Sequence, residues 1–307
     1  MTGPRIQGKV AATVDGREVS VPYGSTVLDA CRESGVDVPT LCYGPTLTPA
    51  SACRVCVVEI DGSRALVPSC SRPVEEGMAI VATSERAEHS RRLVLELLAS
   101  ASELDRSRPE VPGWMERLGA RSGRFGPQSP PKTRGKPEAG RHALAEPGVA
   151  ASVAEPVKIE DDLYVRDYSR CILCYRCVDA CGVEHQNTFA IAVVGRGFDA
   201  HISTEFDVAL PDSACVYCGN CIAVCPTGAL VGKIEFDMRE SGSWAEERQE
   251  VTRTVCAYCG VGCNLDIHTQ DGDIVGVTSP HDHDVTLGNL CIKGRFGWVF
   301  VNSGRDG

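Results

Sequence analysis

The stretch from Cys171 to Cys181, CILCYRCVDAC, has the spacing C-x2-C-x2-C-x3-C. The same spacing recurs 33 residues later from Cys215 to Cys225, CVYCGNCIAVC, and Pro226 follows it directly. Each run puts three thiols on one tight loop and a fourth at the start of the next segment. Two such runs in tandem are very specific for binding iron–sulfur clusters.

The two runs are expected to share their ligands. In proteins with two clusters, the fourth Cys of each run usually binds the cluster of the other run. We therefore predict one [4Fe–4S] cluster bound by Cys171, Cys174, Cys177 and Cys225. We predict a second [4Fe–4S] cluster bound by Cys215, Cys218, Cys221 and Cys181. The alternative is a pair of zinc sites, which usually show two separated Cys or Cys/His pairs instead.

The composition of the chain indicates a reducing compartment. The chain has 307 residues and 17 Cys, and residues 1–10 lack the apolar core of a secretory signal. We therefore expect a cytoplasmic protein whose clustered Cys bind metal rather than form disulfides. No apolar run approaches the roughly 20 residues of a membrane span. The net charge of −10 argues against nucleic-acid binding.

Two more groups of cysteines complete the set of candidate ligands. One group is Cys42, Cys53, Cys56 and Cys70, and the other is Cys256, Cys259, Cys263 and Cys291. Together with the two runs they make sixteen ligands in four sets of four, and Cys31 is left over. Cys31 falls in the apolar pattern of a predicted helix, so we expect a buried structural thiol.

Residues 6–83 are predicted to form a small domain of strands around one helix. Alternating runs at 9–14 and 17–21 flank Asp15-Gly16, a strong hairpin signal. A helix is predicted over 26–34, and further strands over 55–60, 64–67 and 78–81. This arrangement resembles a ubiquitin-like β-grasp.

The ligand spacing of this domain is C-x10-C-x2-C-x13-C, which departs from the plant-type ferredoxin pattern. The words Leu41-Cys42-Tyr43 and Cys53-Arg54-Val55-Cys56 resemble the [2Fe–2S] domain of the large peripheral subunit of complex I. The resemblance implies one [2Fe–2S] cluster here. In that family the segment after this domain carries one His and three Cys for a further cluster. This chain has no Cys between Cys70 and Cys171, so we expect that cluster to be absent.

Residues 84–104 are predicted to be a connecting helix, in which Leu93, Val94, Leu97 and Leu98 form one apolar stripe. Residues 105–157 hold eight Pro and seven Gly, which is the composition of a linker. An excess of basic residues in that segment leaves open a second interpretation, a docking segment for an acidic partner surface. Residues 158–250 are predicted to be a bacterial two-[4Fe–4S] ferredoxin-like domain, with a hairpin near Gly195 inserted between its halves.

Residues 251–303 resemble the small cluster domain of the molybdopterin oxidoreductases. The ligand segment ends in Cys291-Ile292-Lys293-Gly294. In that family the Lys after the last Cys lies between a [4Fe–4S] cluster and the pterin, so the resemblance implies the same role for Lys293. Structural zinc is the competing interpretation for this set, because C-x2-C with two distant Cys also suits zinc.

Apart from residues 105–157, the chain thus resembles the N-terminal iron–sulfur region of the α subunit of NAD-dependent formate dehydrogenases. This resemblance implies an α+β multidomain fold, one [2Fe–2S] and three [4Fe–4S] clusters, and electron transfer between a molybdopterin catalytic subunit and a flavin/NAD subunit. Molybdopterin would be bound only by a partner chain, and no catalytic residue is expected here. The alternatives are an electron-transfer subunit of a complex I-like or NAD-linked hydrogenase assembly, and a structural zinc protein.

Overall fold

The computed structural model describes residues 8–104, 107–125, 157–197 and 200–303. These residues form two compact units. Unit 1 contains residues 8–43, 49–104 and 107–125, and unit 2 contains residues 44–48, 157–197 and 200–303. The predicted [2Fe–2S] ligands therefore lie in unit 1, and the other three predicted sets lie in unit 2.

Unit 1 is built on a mixed five-stranded sheet. Its strands are β1 (Lys9–Val14), β2 (Arg17–Pro22), β3 (Val57–Ile60), β4 (Val67–Pro68) and β5 (Met78–Val81). The order across the sheet is β2-β1-β5-β3-β4, and β1 pairs in parallel with β5. Asp15 and Gly16 form the first hairpin turn with φ angles of 48° and 79°, as the predicted Asp-Gly turn requires.

Helix α1 (Val27–Glu33) packs on this sheet and begins with a capping box. Thr26 Oγ1 accepts a hydrogen bond from Asp29 N at 3.2 Å, and Asp29 Oδ2 accepts one from Thr26 N at 2.8 Å. These bonds satisfy backbone groups that the first turn leaves unpaired. Cys31 lies on the buried face of α1 within the hydrophobic core.

Helix α2 (Glu85–Ala101) follows, with Ser84 Oγ accepting from Ala87 N at its start. The apolar stripe predicted for this helix is not its buried face. Leu97 is 53% exposed, whereas Arg91, Leu95, Glu96 and Ala99 are buried. Hydrophobic periodicity did not predict the buried face because two of its residues, Arg91 and Glu96, are charged. Their hydrogen-bond partners lie elsewhere in unit 1.

Helix α3 (Glu110–Leu118) lies inside the segment predicted as a linker. Residues 107–125 of the predicted linker therefore contain a helix, and residues 126–156 lie outside the described residues. Proline composition did not exclude a helix because Pro109 and Pro112 lie at its start, where a missing N–H costs nothing. Gly119, with φ 64°, ends the helix in the left-handed conformation.

Side chains tie this segment to the rest of unit 1. Arg117 Nη1 donates to Asp37 Oδ2 at 2.6 Å. Glu96, only 1% exposed, accepts from Arg124 Nη1 at 2.8 Å and from the backbone N of Arg121 at 3.2 Å. The segment that follows α3 therefore supplies the hydrogen-bond donors that stabilise the buried carboxylate of Glu96.

The middle of unit 2 has two similar halves. Strand β6 (Tyr164–Arg166) pairs with β9 (Leu230–Gly232), and each cysteine loop leads into a short helix, α4 (Arg176–Cys181) or α5 (Asn220–Val224). Strands β7 (Ile191–Val194) and β8 (His201–Thr204) form the predicted inserted hairpin. Helix α6 (Lys233–Glu240) follows β9.

The end of unit 2 is a three-stranded antiparallel sheet with two short helices. These elements are β10 (Gln249–Val255), β11 (Asn264–Gln270), β12 (Asp273–Thr278), α7 (Ile292–Phe296) and α8 (Val299–Ser303). Asp271 and Gly272 form the hairpin turn that joins β11 to β12. Among the described helices, none is long and apolar enough to cross a membrane.

Replacing Glu96 with Ala should expose residues 110–125, because Arg124 and the Arg121 N–H would lose their common acceptor. Removing one member of a buried ion pair destabilises the folded state. Because Arg124 is partly exposed and can be solvated by water, we expect a loss of only about 1–3 kcal/mol in the stability of this local structure. Hydrogen exchange of this segment, followed by mass spectrometry, measures the effect. Glu85→Ala, at an exposed position of the same helix, is the control. Unchanged protection in Glu96→Ala would contradict the role of this pair.

Candidate metal centres

The four predicted [2Fe–2S] ligands come together in unit 1. The backbone N–H of Cys53 donates to Cys42 Sγ at 3.5 Å. Hydrogen bonds from the Cys53 and Cys70 thiols lower the pKa of Cys42 to about 2, and one from the Cys70 thiol lowers the pKa of Cys56 to about 6. These hydrogen bonds favour the thiolate form of Cys42 and Cys56, which is the form that binds metal.

The sheet explains why distant cysteines meet in this set. Cys56 directly precedes β3 and Cys70 follows β4, and the pairing of Val57 with Pro68 brings the two strand ends together. Ser69 Oγ donates to the carbonyl oxygen of Cys56 at 2.7 Å, which holds the residue before Cys70 next to Cys56.

In unit 2 the last Cys of the second run, Cys225, lies beside the three loop cysteines of the first run. Burial raises the pKa of Cys174 to about 12, and the neighbouring Cys225 and Cys171 thiols act in the same direction. Burial likewise raises the pKa of Cys177, with Cys174, Cys225 and Cys171 as the next causes. These four thiols therefore lie close enough to interact, as the predicted sharing of ligands requires.

The cysteines of the reciprocal set are neighbours in the same way. Burial raises the pKa of Cys221 well above its usual value, and the next causes are the nearby thiols of Cys218, Cys181 and Cys215. Cys181 belongs to the first run in sequence but faces the thiols of the second run in space. The structure thus brings together both predicted cross-run sets.

The two ligand loops have the same backbone conformation. Leu173 and Tyr175 in the first loop have φ angles of 52° and 67°, and Tyr217 and Gly219 at the equivalent positions of the second loop have 56° and 71°. Such left-handed residues within a turn direct backbone N–H groups into a concave, anion-binding nest. The N–H of Tyr217 indeed donates to the sulfur of Cys215 at 3.4 Å.

A cavity lies among the thiols of the first cross-run set. It is lined by the four cysteines and by seven other residues, namely Tyr168, Ile172, Tyr175, Ile202, Thr227, Ala229 and Leu230. A threonine hydroxyl approaches the fourth Cys of each run. Thr188 Oγ1 is 3.4 Å from Cys181 Sγ, and Thr227 Oγ1 is 3.9 Å from Cys225 Sγ.

The fourth set lies at the surface of unit 2. The pKa of Cys263 is raised by burial and then by Cys256, Cys259 and Cys291, so all four thiols are neighbours. Cys256 is buried, whereas Cys259 and Cys291 are exposed. Lys293 is also exposed, two residues beyond Cys291 in α7. This set is therefore the most open of the four.

The donor groups of all four sets fit iron–sulfur clusters. Each set offers four Cys sulfurs, and backbone N–H groups approach sulfur in two of them, which is the environment that such clusters use. Among the described residues, no three His, Cys, Asp or Glu side chains lie close enough together to hold one metal ion as they stand, so the fit rests on the chemistry of the donors and not on their spacing. Cys31, which belongs to none of the sets, lies in the core of unit 1, and burial raises its pKa to about 11.

Several polar residues near these sulfurs were not predicted. Arg91 is 2% exposed, and its Nε and Nη2 both donate to the carbonyl oxygen of Val57, at 3.1 and 2.9 Å. Burial lowers the pKa of Arg91, and the neighbouring Cys31 and Cys56 sulfurs act in the opposite direction. A buried cation therefore lies next to the [2Fe–2S] set, although Arg91 shows no distinguishing pattern in the sequence.

Tyr164 is a second unpredicted residue. Its hydroxyl oxygen accepts a hydrogen bond from the N–H of Gly219 at 3.0 Å, and its ring contacts the rings of Tyr217 and Phe296. Burial, followed by the thiols of the second run, raises the pKa of Tyr164. Tyr164 thus remains a neutral phenol that supports the second ligand loop.

Three regions of the chain match known domain families. Residues 7–85 match the 2Fe-2S iron-sulfur cluster binding domain. Residues 170–229 match the 4Fe-4S dicluster domain, and residues 249–303 match the molybdopterin oxidoreductase Fe4S4 domain. All sixteen predicted ligands fall inside these three ranges.

Curated relatives match much or nearly all of the chain. It is 35% identical over 298 residues to the NADPH-Fe(3+) oxidoreductase subunit alpha of Geobacter sulfurreducens, covering 96% of this chain and 32% of that protein. It is 39% identical over 224 residues to an NADP-reducing hydrogenase subunit of Solidesulfovibrio fructosivorans, covering 71% and 35%. It is 26% identical over 339 residues to a putative formate dehydrogenase of Staphylococcus haemolyticus, covering 97% and 32%. The chain thus spans about a third of the length of these relatives.

A solved structure shares the fold. A crystal structure of NAD+-reducing [NiFe]-hydrogenase in the H2-reduced state matches with a TM-score of 0.56 and 24% identity, over 73% of this chain and 87% of that chain. The resemblance inferred from the cysteine motifs is confirmed. The chain combines a 2Fe-2S domain, a 4Fe-4S dicluster domain and a molybdopterin oxidoreductase Fe4S4 domain, and its homologues are oxidoreductase and hydrogenase subunits and putative formate dehydrogenases.

Proposed function

We propose that this chain is an iron–sulfur electron-transfer subunit, or part of one, in a cytoplasmic formate dehydrogenase-like oxidoreductase. It would connect a molybdopterin catalytic subunit with a flavin/NAD subunit. The observation that carries the proposal is the sorting of sixteen cysteines into four spatial sets, each within a region that matches an iron–sulfur domain.

The proposal assigns one kind of site to each part of the chain. A β-grasp domain at 6–83 would hold one [2Fe–2S] cluster. A bacterial ferredoxin-like domain at 158–250 would hold two [4Fe–4S] clusters through the cross-run sets. A molybdopterin-type domain at 251–303 would hold a third [4Fe–4S] cluster. The helix at 84–104 and the segment at 105–157 would connect the first domain to the others.

The protein's own groups would supply ligation, hydrogen bonding and burial. Iron–sulfur clusters transfer single electrons, and thiolate ligation, hydrogen bonds to sulfur and exclusion of water set their potentials. The N–H groups of Cys53 and Tyr217 already point at sulfur. Lys293 and the exposed Cys291 would face a molybdopterin-bearing partner. Substrate chemistry is assigned to that partner.

A second candidate is an electron-transfer subunit of a complex I-like or NAD-linked hydrogenase assembly. The 39% identity to an NADP-reducing hydrogenase subunit favours it. The two candidates differ in the subunits that bind this chain. Affinity purification from the native cell distinguishes them, because molybdopterin-containing subunits support the first, and quinone-linked or hydrogenase subunits support the second.

Anaerobic reconstitution of the full chain should give about fourteen iron atoms, two from the [2Fe–2S] set and four from each of three [4Fe–4S] sets. Iron and acid-labile sulfide analysis measures this. Cys31→Ala should keep the full count, because Cys31 belongs to none of the four cysteine sets. About four zinc atoms per chain with no sulfide would refute the electron-transfer function in favour of structural zinc.

Cys291→Ser should remove about four iron atoms and leave the ferredoxin-type signals in place, because the fourth set shares no thiol with the other sets. Electron paramagnetic resonance of the reduced variant tests this. Loss of the ferredoxin-type signals as well would contradict the assignment of independent sets. Cys31→Ala is again the matched control.

Cys181→Ser should disturb the same resonance as Cys215→Ser and leave the one that Cys171→Ser disturbs, because Cys181 neighbours the second-run thiols. Cys225→Ser should do the opposite. The spectra of the four variants, recorded under identical reduction, decide the point. If Cys181→Ser and Cys171→Ser affect one common resonance, the two runs do not exchange ligands.

A further inference from the structure

Arg295 is a buried side chain between two thiol sets of unit 2. It lies in α7, four residues after Cys291, and is 5% exposed. Its Nη1 donates to the carbonyl oxygen of Val277 at 3.1 Å, and its Nε donates to the carbonyl oxygen of Cys218 at 3.5 Å. The guanidinium therefore joins the helix after Cys291 to the loop that carries Cys218.

Asn220 completes this connection. Its Oδ1 accepts hydrogen bonds from Arg295 Nη2 at 3.4 Å and from the backbone N of Leu290 at 3.1 Å. Asn220 is 2% exposed and begins α5, while Leu290 directly precedes Cys291. One side-chain oxygen thus ties the ligand loop of one set to the ligand segment of another.

The position of Arg295 explains why residue 219 is a glycine. A Cβ at Gly219 would lie 2.9 Å from Arg295 Cγ and 3.1 Å from Nε. The equivalent residue of the first loop is Tyr175, which adopts nearly the same left-handed φ with a full side chain. The loop conformation alone therefore tolerates a side chain here. The arginine stem, which occupies that space in the second loop, makes glycine necessary.

We propose that Arg295 is a positioning residue that holds the ligand loop around Cys218 against the segment around Cys291, and that its positive charge raises the reduction potential of the cluster at the Cys218 set. This inference rests on the proposed function. Asn220 would be its anchor, and Gly219 would provide the room for it.

The charge effect follows from simple electrostatics. Arg295 Nε lies 3.5 Å from the carbonyl oxygen of Cys218, so the buried cation adjoins the loop that carries this ligand sulfur. A cation that stabilises negative charge on that sulfur also stabilises the reduced form of a cluster bound to it, because reduction adds one negative charge. In a buried site, solvent and salt screen this attraction much less than at the surface.

The test is a redox titration of the reconstituted full chain, followed by electron paramagnetic resonance. The resonance lost in Cys218→Ser identifies the cluster concerned. Arg295→Gln should shift the midpoint potential of that resonance downward, and Arg295→Lys should keep it nearer to the wild-type value. Arg253→Gln, at an exposed arginine paired with Asp266, is the control and should leave the potential unchanged.

The outcomes separate this inference from the proposed function. If clusters form but Arg295→Gln lowers only the unfolding temperature and not the potential, Arg295 is a structural residue and the inference is wrong. If Arg295→Gln does not fold, Asn220→Ala takes its place, because it frees the guanidinium from its anchor and should also lower the potential. A wild-type chain without any cluster would overturn both the inference and the proposed function.

Discussion

Several cysteine thiolates can share one buried site only if their negative charge is compensated. Unit 2 shows this constraint most clearly, because burial and neighbouring thiols raise the pKa of Cys177 and Cys221 well above the usual value. These groups become thiolates when a metal takes the place of their protons. The left-handed residues of the ligand loops and the threonine hydroxyls near Cys181 and Cys225 place polar groups around that buried charge.

The two units depend on their ligands to different degrees. Unit 1 has a core of strand and helix residues that includes Cys31, Cys56 and Cys70 but consists mostly of aliphatic side chains. The main core of unit 2 contains Cys177 and Cys225, with four more ligand cysteines packed against it. Ligand binding and folding are therefore coupled more closely in unit 2.

Cysteine spacing and turn residues predicted much of the structure, because both signals are local. Asp15-Gly16 forms the predicted hairpin, and the last thiol of each C-x2-C-x2-C-x3-C run lies near thiols of the other run. Amino-acid composition did not predict α3, because the prolines at the start of this helix are also typical of a linker. Periodicity failed at α2, since Glu96 is buried against a segment about 25 residues away. Long-range partners of this kind leave no pattern in the sequence.

The account's central claim is that sixteen cysteines form one [2Fe–2S] and three [4Fe–4S] sites. Mössbauer spectroscopy of the full chain reconstituted with iron-57 tests it most directly, because the two cluster types give distinct spectra. The account predicts about one seventh of the iron in a [2Fe–2S] component and about six sevenths in [4Fe–4S] components. A spectrum dominated by [2Fe–2S] iron, or a chain that takes up zinc in place of iron, would contradict it.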